Sequence, residues 1–165
     1  MFSAQIHDLA QSLVSQAAAS GYKIAVAESC TGGLLGGAIT AVSGSSSVFD
    51  RGFITYSNEA KNQCLNVELE KLDNFGAVSP EVATAMVKGL FENTDADLYC
   101  SITGVAGPSG GSAEKPVGTV YIGIGKSDIH GLEVLAHHNL FSGDREQIRE
   151  QSLRVALELM LNQLN

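Results

Sequence analysis

The chain has 165 residues, 44% of them hydrophobic and only 17% charged, which is enough apolar material for one sizeable core and one compact domain but not for two. Ten Lys and Arg against eighteen Asp and Glu give a formal charge of -8, with no basic cluster to track a nucleic-acid backbone or an anionic membrane. No run of about 18 apolar residues occurs, and Met1-Phe2-Ser3-Ala4-Gln5-Ile6-His7-Asp8 lacks the basic flank and apolar stretch of a secretory signal, so a cytoplasmic protein is expected.

In chain order, residues 3–19 place Ile6, Leu9, Leu13 and Ala17 at near-helical spacing, with Gly21 as a stop. Ile24-Ala25-Val26-Ala27 is a short apolar run. Beyond Glu28-Ser29-Cys30-Thr31-Gly32-Gly33 the spacing of Leu34, Leu35, Ala38, Ile39 and Val42 returns to helical, giving strand, tight turn, helix. Phe53-Ile54-Thr55-Tyr56 reads as a second strand, followed by a helix from about Asn58 that carries Lys61, and two short helical pieces bracket residues 67–74. Ser79 as N-cap with Pro80 at the first helical position starts a helix that ends near Asn93.

Residues 97–103 read as a strand running into the glycine-rich loop Gly104-Val105-Ala106-Gly107-Pro108-Ser109-Gly110-Gly111. Residues 117–125 and 132–141 form an antiparallel pair turned near 128–131, and Asp144 with Gln147 caps a final helix through Leu153, Ala156, Leu157, Met160 and Leu164. Helices before and between strands, then a hairpin, predict an α/β fold: a single-domain, three-layer α/β/α sandwich with a mixed sheet.

The Glu28-Ser29-Cys30-Thr31-Gly32-Gly33 turn lies where a strand ends and a helix opens, the usual ligand position of an open α/β sheet. Unpaired N–H groups there can bind a phosphate or stabilise an oxyanion, with Ser29 and Thr31 adding hydroxyls and Gly32 and Gly33 allowing close approach. Alternatively, Ser29 only caps the helix and the glycines only permit packing. Ser29 needs a base to attack a carbonyl. His7, His130, His137 and His138 all read as surface or edge residues, and no cluster has metal-ligand spacing. Lys61 becomes a base if burial lowers its pKa; otherwise it is a solvated helix residue beside Glu59.

Cys30 is a rival nucleophile at a helix start, or a packed side chain. Cys30, Cys64 and Cys100 have no CxxC spacing, so neither a disulfide framework nor a zinc site is expected, and reduced thiols suit a cytosolic location. The Gly104 to Gly111 loop is a ribose-phosphate cradle, a lid or a long turn. Arg145 is either a phosphate partner or an exposed first-turn arginine.

Six ordered blocks together resemble the CinA C-terminal-domain family. They are Ala27-Glu28-Ser29-Cys30-Thr31-Gly32-Gly33; Phe53-Ile54-Thr55-Tyr56-Ser57-Asn58-Glu59-Ala60-Lys61; Gly76-Ala77-Val78-Ser79; Thr103-Gly104-Val105-Ala106-Gly107-Pro108 continuing to Gly110-Gly111; Lys115-Pro116-Val117-Gly118-Thr119-Val120; and Phe141-Ser142-Gly143-Asp144-Arg145. The family includes nicotinamide-mononucleotide deamidases. The resemblance implies hydrolysis of the carboxamide of nicotinamide mononucleotide to the acid with release of ammonia, in pyridine-nucleotide recycling, with Ser29 as nucleophile, Lys61 as its general base, and neither metal nor cofactor. Larger members add an N-terminal pyrophosphatase domain, an activity not expected of these residues.

On the same footing, N–H groups after Ser29, with Thr103 or Gly104, are expected to stabilise the oxyanion. Tyr56 and Ser57 are expected to line the nicotinamide pocket. Thr31, the Gly107 loop or Arg145 is expected to hold the 5′-phosphate, and Cys30, Gly32 and Gly33 complete the expected binding set. Self-association as a homodimer, through the sheet edge or the first and last helices, is a further expectation. Two other readings compete: a non-catalytic nucleotide-binding or partner-binding module, and an amidase or esterase of another substrate.

Overall fold

The computed structural model of the chain describes residues 2–165. Five strands form one mixed sheet in the order β2-β1-β3-β4-β5. β1 (Ile24–Glu28) lies parallel to β2 (Phe49–Ile54) and to β3 (Leu98–Gly104), while β4 (Thr119–Asp128) and β5 (Gly131–Leu140) continue antiparallel from β3. Helices cover both faces, making a single α/β domain in three layers.

The pleat of the strands explains the layering. On β1, β3 and β4, residues Ile24, Val26, Leu98, Cys100, Ile102, Val120, Ile122 and Ile124 point to one face. There they form one core with α1 (Ala4–Ser20), α2 (Leu34–Thr40) and α6 (Arg145–Asn162). Ala25, Ala27 and Tyr99 point the other way, beneath Leu65, Leu72, Val82, Met86, Val87 and Leu90. Those come from or beside α3 (Asn58–Leu65), α4 (Leu69–Phe75) and α5 (Pro80–Asn93).

The chain crosses from β1 to β2 on one side and then returns past β1 to β3 on the other. The carboxyl ends of β1 and β3 therefore diverge at a topological switch point, where an open α/β sheet leaves a crevice. Ser29 follows β1 there, and Thr103 and Gly104 end β3.

The local expectations hold where a cap or turn residue sets the boundary. Gly21 ends α1 in the left-handed conformation. Ser79 Oγ accepts from Val82 N with Pro80 at the helix start, and Asp144 and Gln147 form a reciprocal capping box on α6. The second strand departs from the sequence reading: β2 begins at Phe49 and ends at Ile54. It is an edge strand carrying exposed Asp50 and Arg51, so its first half shows no apolar run. Thr55 lies just beyond it, though its N–H still bonds the Glu28 carbonyl at 2.8 Å. Among the described residues no helix is long and apolar enough to cross a membrane.

Candidate active site

The Ser29 turn is anchored from within. Glu28, only 1% exposed, folds its carboxylate over the start of α2 and accepts N–H groups from Gly33 (3.0 Å), Leu35 (3.1 Å) and Gly36 (2.9 Å). Gly33, the α2 N-cap, has no side chain with which to do this, so a carboxylate from five residues upstream complements the positive helix end instead. Gly32 and Gly33 both have positive φ, 61° and 98°, which lets the chain double back over Glu28. Ser29 N donates to Ile102 O at 2.9 Å and Gly32 N to Ser29 O at 3.0 Å. Of the helix-start donors expected to be free for a phosphate, three are engaged by Glu28.

Lys61 enters from the opposite layer. Ser57 Oγ accepts from Ala60 N at 3.0 Å and starts α3, placing Lys61 at its first turn. The side chain, 1% exposed, points inward, and its Nζ lies 3.1 Å from Ser29 Oγ and 2.8 Å from the Thr55 carbonyl oxygen. It forms no ion pair among the described residues. Burial pulls its pKa below the ordinary lysine value of 10.5, partly offset by the Cys30 sulfur nearby.

The pair sits in a cleft of about 290 Å³ whose walls include Cys30, Tyr56, Ala77, Thr103, Gly104, Gly107 and Arg145. Thr103 is buried, with its hydroxyl donating to Ala77 O at 2.7 Å. Arg145 closes one side, donating to Gly107 O and to Tyr56 Oη, each at 2.8 Å. Of the expected site residues, Ser29, Lys61, Cys30, Tyr56, Thr103, Gly104, Gly107 and Arg145 thus meet around one space. Thr31, Gly32, Gly33 and Ser57 lie outside its lining: Thr31 is fully buried with an unpartnered hydroxyl, Gly33 packs under Ile54, and Ser57 is the α3 cap.

Cys30 is buried, and that burial, with the charge of Glu28, pushes its thiol up to about 11 against the counteracting Arg149 and Lys61. At neutral pH it holds almost no thiolate. Among the described residues no group of three or more His, Cys, Asp or Glu could hold a metal ion.

Two residues were not legible as site components: Glu28, and Arg149, which binds the Cys30 and Thr31 carbonyls from α6. The only sequence signals were an acid closing an apolar strand and an arginine one turn after Arg145. What the arrangement can do is defined. A hydroxyl at a strand end, an amine within hydrogen-bond reach and kept out of water, and a cleft with main-chain donors together suit acyl transfer at a carbonyl.

Residues 6–164 match the family model described as the CinA C-terminal domain. The nicotinamide-nucleotide amidohydrolase PncC of Enterobacter agglomerans is 45% identical over 159 residues, 96% of this chain and 95% of that protein. A putative competence-damage inducible protein of Caldicellulosiruptor saccharolyticus is 52% identical over 141 residues, 85% of this chain. The match there spans only 33% of the longer relative. The crystal structure of the competence/damage inducible protein CihA from Agrobacterium tumefaciens superposes with a TM-score of 0.93 at 42% identity, covering 98% of each chain.

Proposed function

This chain belongs to the CinA C-terminal domain family, and from that premise we propose that it is a nicotinamide-nucleotide amidohydrolase converting nicotinamide mononucleotide and water to nicotinate mononucleotide and ammonia. Its likeness to PncC over nearly the full length of both chains supports the substrate. The observation that carries the chemistry is the 3.1 Å approach of the buried Lys61 amine to Ser29 Oγ.

In the reaction we propose, neutral Lys61 takes the Ser29 proton as the hydroxyl oxygen attacks the carboxamide carbon. The carbonyl electrons move to oxygen, and the main-chain N–H of Cys30, a residue that lines the cleft and whose N–H has no main-chain acceptor among the described residues, stabilises that oxyanion. As the tetrahedral species collapses, protonated Lys61 returns its proton to the departing nitrogen and ammonia leaves. Water, deprotonated by the regenerated amine, then hydrolyses the Ser29 ester to release the acid. Tyr56 and Arg145 border the same cleft and are the side chains proposed to hold the ring and the 5′-phosphate. The three free thiols suit a reducing compartment, and we place the enzyme in the cytoplasm.

The test is ammonia release from nicotinamide mononucleotide by purified protein, with nicotinamide and nicotinamide riboside as controls and Ser29→Ala in parallel. Release from the mononucleotide alone, lost in the variant, supports the reaction and its phosphate requirement together. Turnover of the controls at equal rates points to a general amidase, and no release from any of the three points to a binding module.

A further inference from the structure

Helix α6 sends two arginines, one turn apart, to two different loops. Arg145 bridges Gly107 and Tyr56. Arg149 reaches the nucleophile's own turn, where Nε donates to the Cys30 carbonyl at 3.1 Å and Nη2 to the Thr31 carbonyl at 2.9 Å. It forms no ion pair among the described residues, so two successive main-chain carbonyls are the partners of a half-buried guanidinium. A rigid planar fork on two adjacent carbonyls restrains both peptide planes at once.

A trans peptide points its C=O and its N–H in opposite directions. Holding the Cys30 carbonyl toward Arg149 therefore turns the Thr31 N–H to the other side of the turn. Arg149 lies outside the Ser29 cleft, in an adjoining groove of about 390 Å³ with Phe2, Leu34 and Leu153 that shares Arg145 with it, whereas Ser29 and Cys30 line the cleft that contains Lys61. The other N–H groups of the turn are engaged: Ser29 by Ile102 O, Gly32 by Ser29 O, Leu34 by Thr31 O, and Gly33, Leu35 and Gly36 by Glu28. The Cys30 and Thr31 N–H groups have no main-chain acceptor among the described residues, and of the two residues only Cys30 lines the cleft.

We infer that Arg149 is a positioning residue for the Ser29 reaction, holding the Cys30–Thr31 turn so that the Cys30 N–H at the cleft wall faces a developing oxyanion. The inference rests on the reading of Ser29 as a nucleophile toward an amide carbonyl. Arg149 lies outside the Ser29 cleft and acts through the turn, whose Cys30 and Thr31 carbonyls it holds.

The experiment compares the full chain with Arg149→Met and Arg149→Lys, in steady-state ammonia release from nicotinamide mononucleotide and in backbone amide NMR of the ligand-free proteins. Methionine keeps most of the apolar stem, so the fold is expected to survive with a melting temperature within a few degrees. In Arg149→Met, kcat falls about 100-fold with KM changed less than about 3-fold. The Cys30 and Thr31 amide resonances shift or broaden, and Arg149→Lys, which can engage one carbonyl, recovers part of kcat. Unchanged kcat, a rise in KM alone, or a loss of kcat with both amides in their wild-type positions overturns the inference. If the wild-type protein releases no ammonia, the deamidase reading fails separately. The positioning inference is then decided by the spectra, and unshifted Cys30 and Thr31 amides in Arg149→Met overturn it.

Discussion

The Lys61 amine lies 3.1 Å from Ser29 Oγ, from a position 32 residues later in the chain, while the Thr55 carbonyl accepts from the same nitrogen at 2.8 Å. A neutral amine has two N–H donors and one lone pair. With Thr55 engaging one donor, the nitrogen is oriented so that its lone pair can address the serine hydroxyl. The contact thus serves either direction of proton transfer without rearrangement.

Ser29→Ala and Lys61→Ala are each expected to reduce kcat at least about a thousand-fold. Binding of nicotinamide mononucleotide, followed by calorimetry, persists in Ser29→Ala because the cleft walls are unchanged. Turnover by Ser29→Ala near the wild-type rate would remove the serine from the mechanism.

The pH dependence follows from the state of Lys61. The amine is active when neutral, and burial lowers its pKa below 10.5. The plot of log kcat/KM should therefore rise with pH and level off below the range in which an ordinary lysine titrates. An ascending limb centred at or above 10.5 would mean that burial does not activate this amine.

Lys61 is also expected to cost stability. Because its folded pKa is lowered, the unfolded chain binds the proton more readily between that value and 10.5. Stability therefore rises with pH across this window and is lost as pH falls through it. Lys61→Met, of similar length and without charge, should melt at neutral pH no lower than wild type, and its advantage should shrink as pH approaches 10.5, although its turnover is abolished. Scanning calorimetry of the two proteins across pH checks this, and a variant several degrees less stable at neutral pH contradicts it.

Cys30, with its thiol at about 11, is expected to resist iodoacetamide at neutral pH while exposed Cys64 reacts. Peptide mapping should find Cys64 modified in protein that retains its turnover. Cys30→Ala keeps the main-chain donor and is expected to lose less than about tenfold in kcat, against the far larger loss in Ser29→Ala. Inactivation that tracks Cys30 alkylation would revive the thiol as nucleophile.

Gly89 connects packing to activity. A Cβ there would collide with the Leu65 carbonyl oxygen and come within 2.8 Å of the Leu65 carbonyl carbon and Cβ. Leu65 is the last residue of α3 and lies one turn after Lys61. Gly89→Ala should destabilise by about 1–3 kcal/mol through overpacking. It should also lower kcat by displacing α3, since shifts of about 1 Å cost roughly 100-fold. Melting and kinetics measured together decide it: loss of stability with unchanged kcat would show that α3 is held elsewhere.

Much of the fold was legible because its signals are local. Gly21, Ser79 with Pro80, and Asp144 with Gln147 mark helix ends through bonds made within a few residues, and the apolar spacing of β1 and α1 reports their buried faces directly. The edge strand β2 starts earlier than its apolar residues indicate because exposed Asp50 and Arg51 carry no apolar pattern, and its position is set by pairing with β1. Ser29 was visible as a hydroxyl at a strand-to-helix turn, but its pairing with Lys61 came from family resemblance, since nothing local distinguishes Lys61 from a solvated lysine.

Chain order, the caps and the strand-turn-helix signature are properties of neighbouring residues, and the sequence by itself determined them. Whether Lys61 is buried, which turn donors Glu28 engages and what Arg149 holds were decided only by the tertiary structure. Solvation, and hydrogen bonds across as many as 119 positions, depend on which surfaces the packed layers bring together.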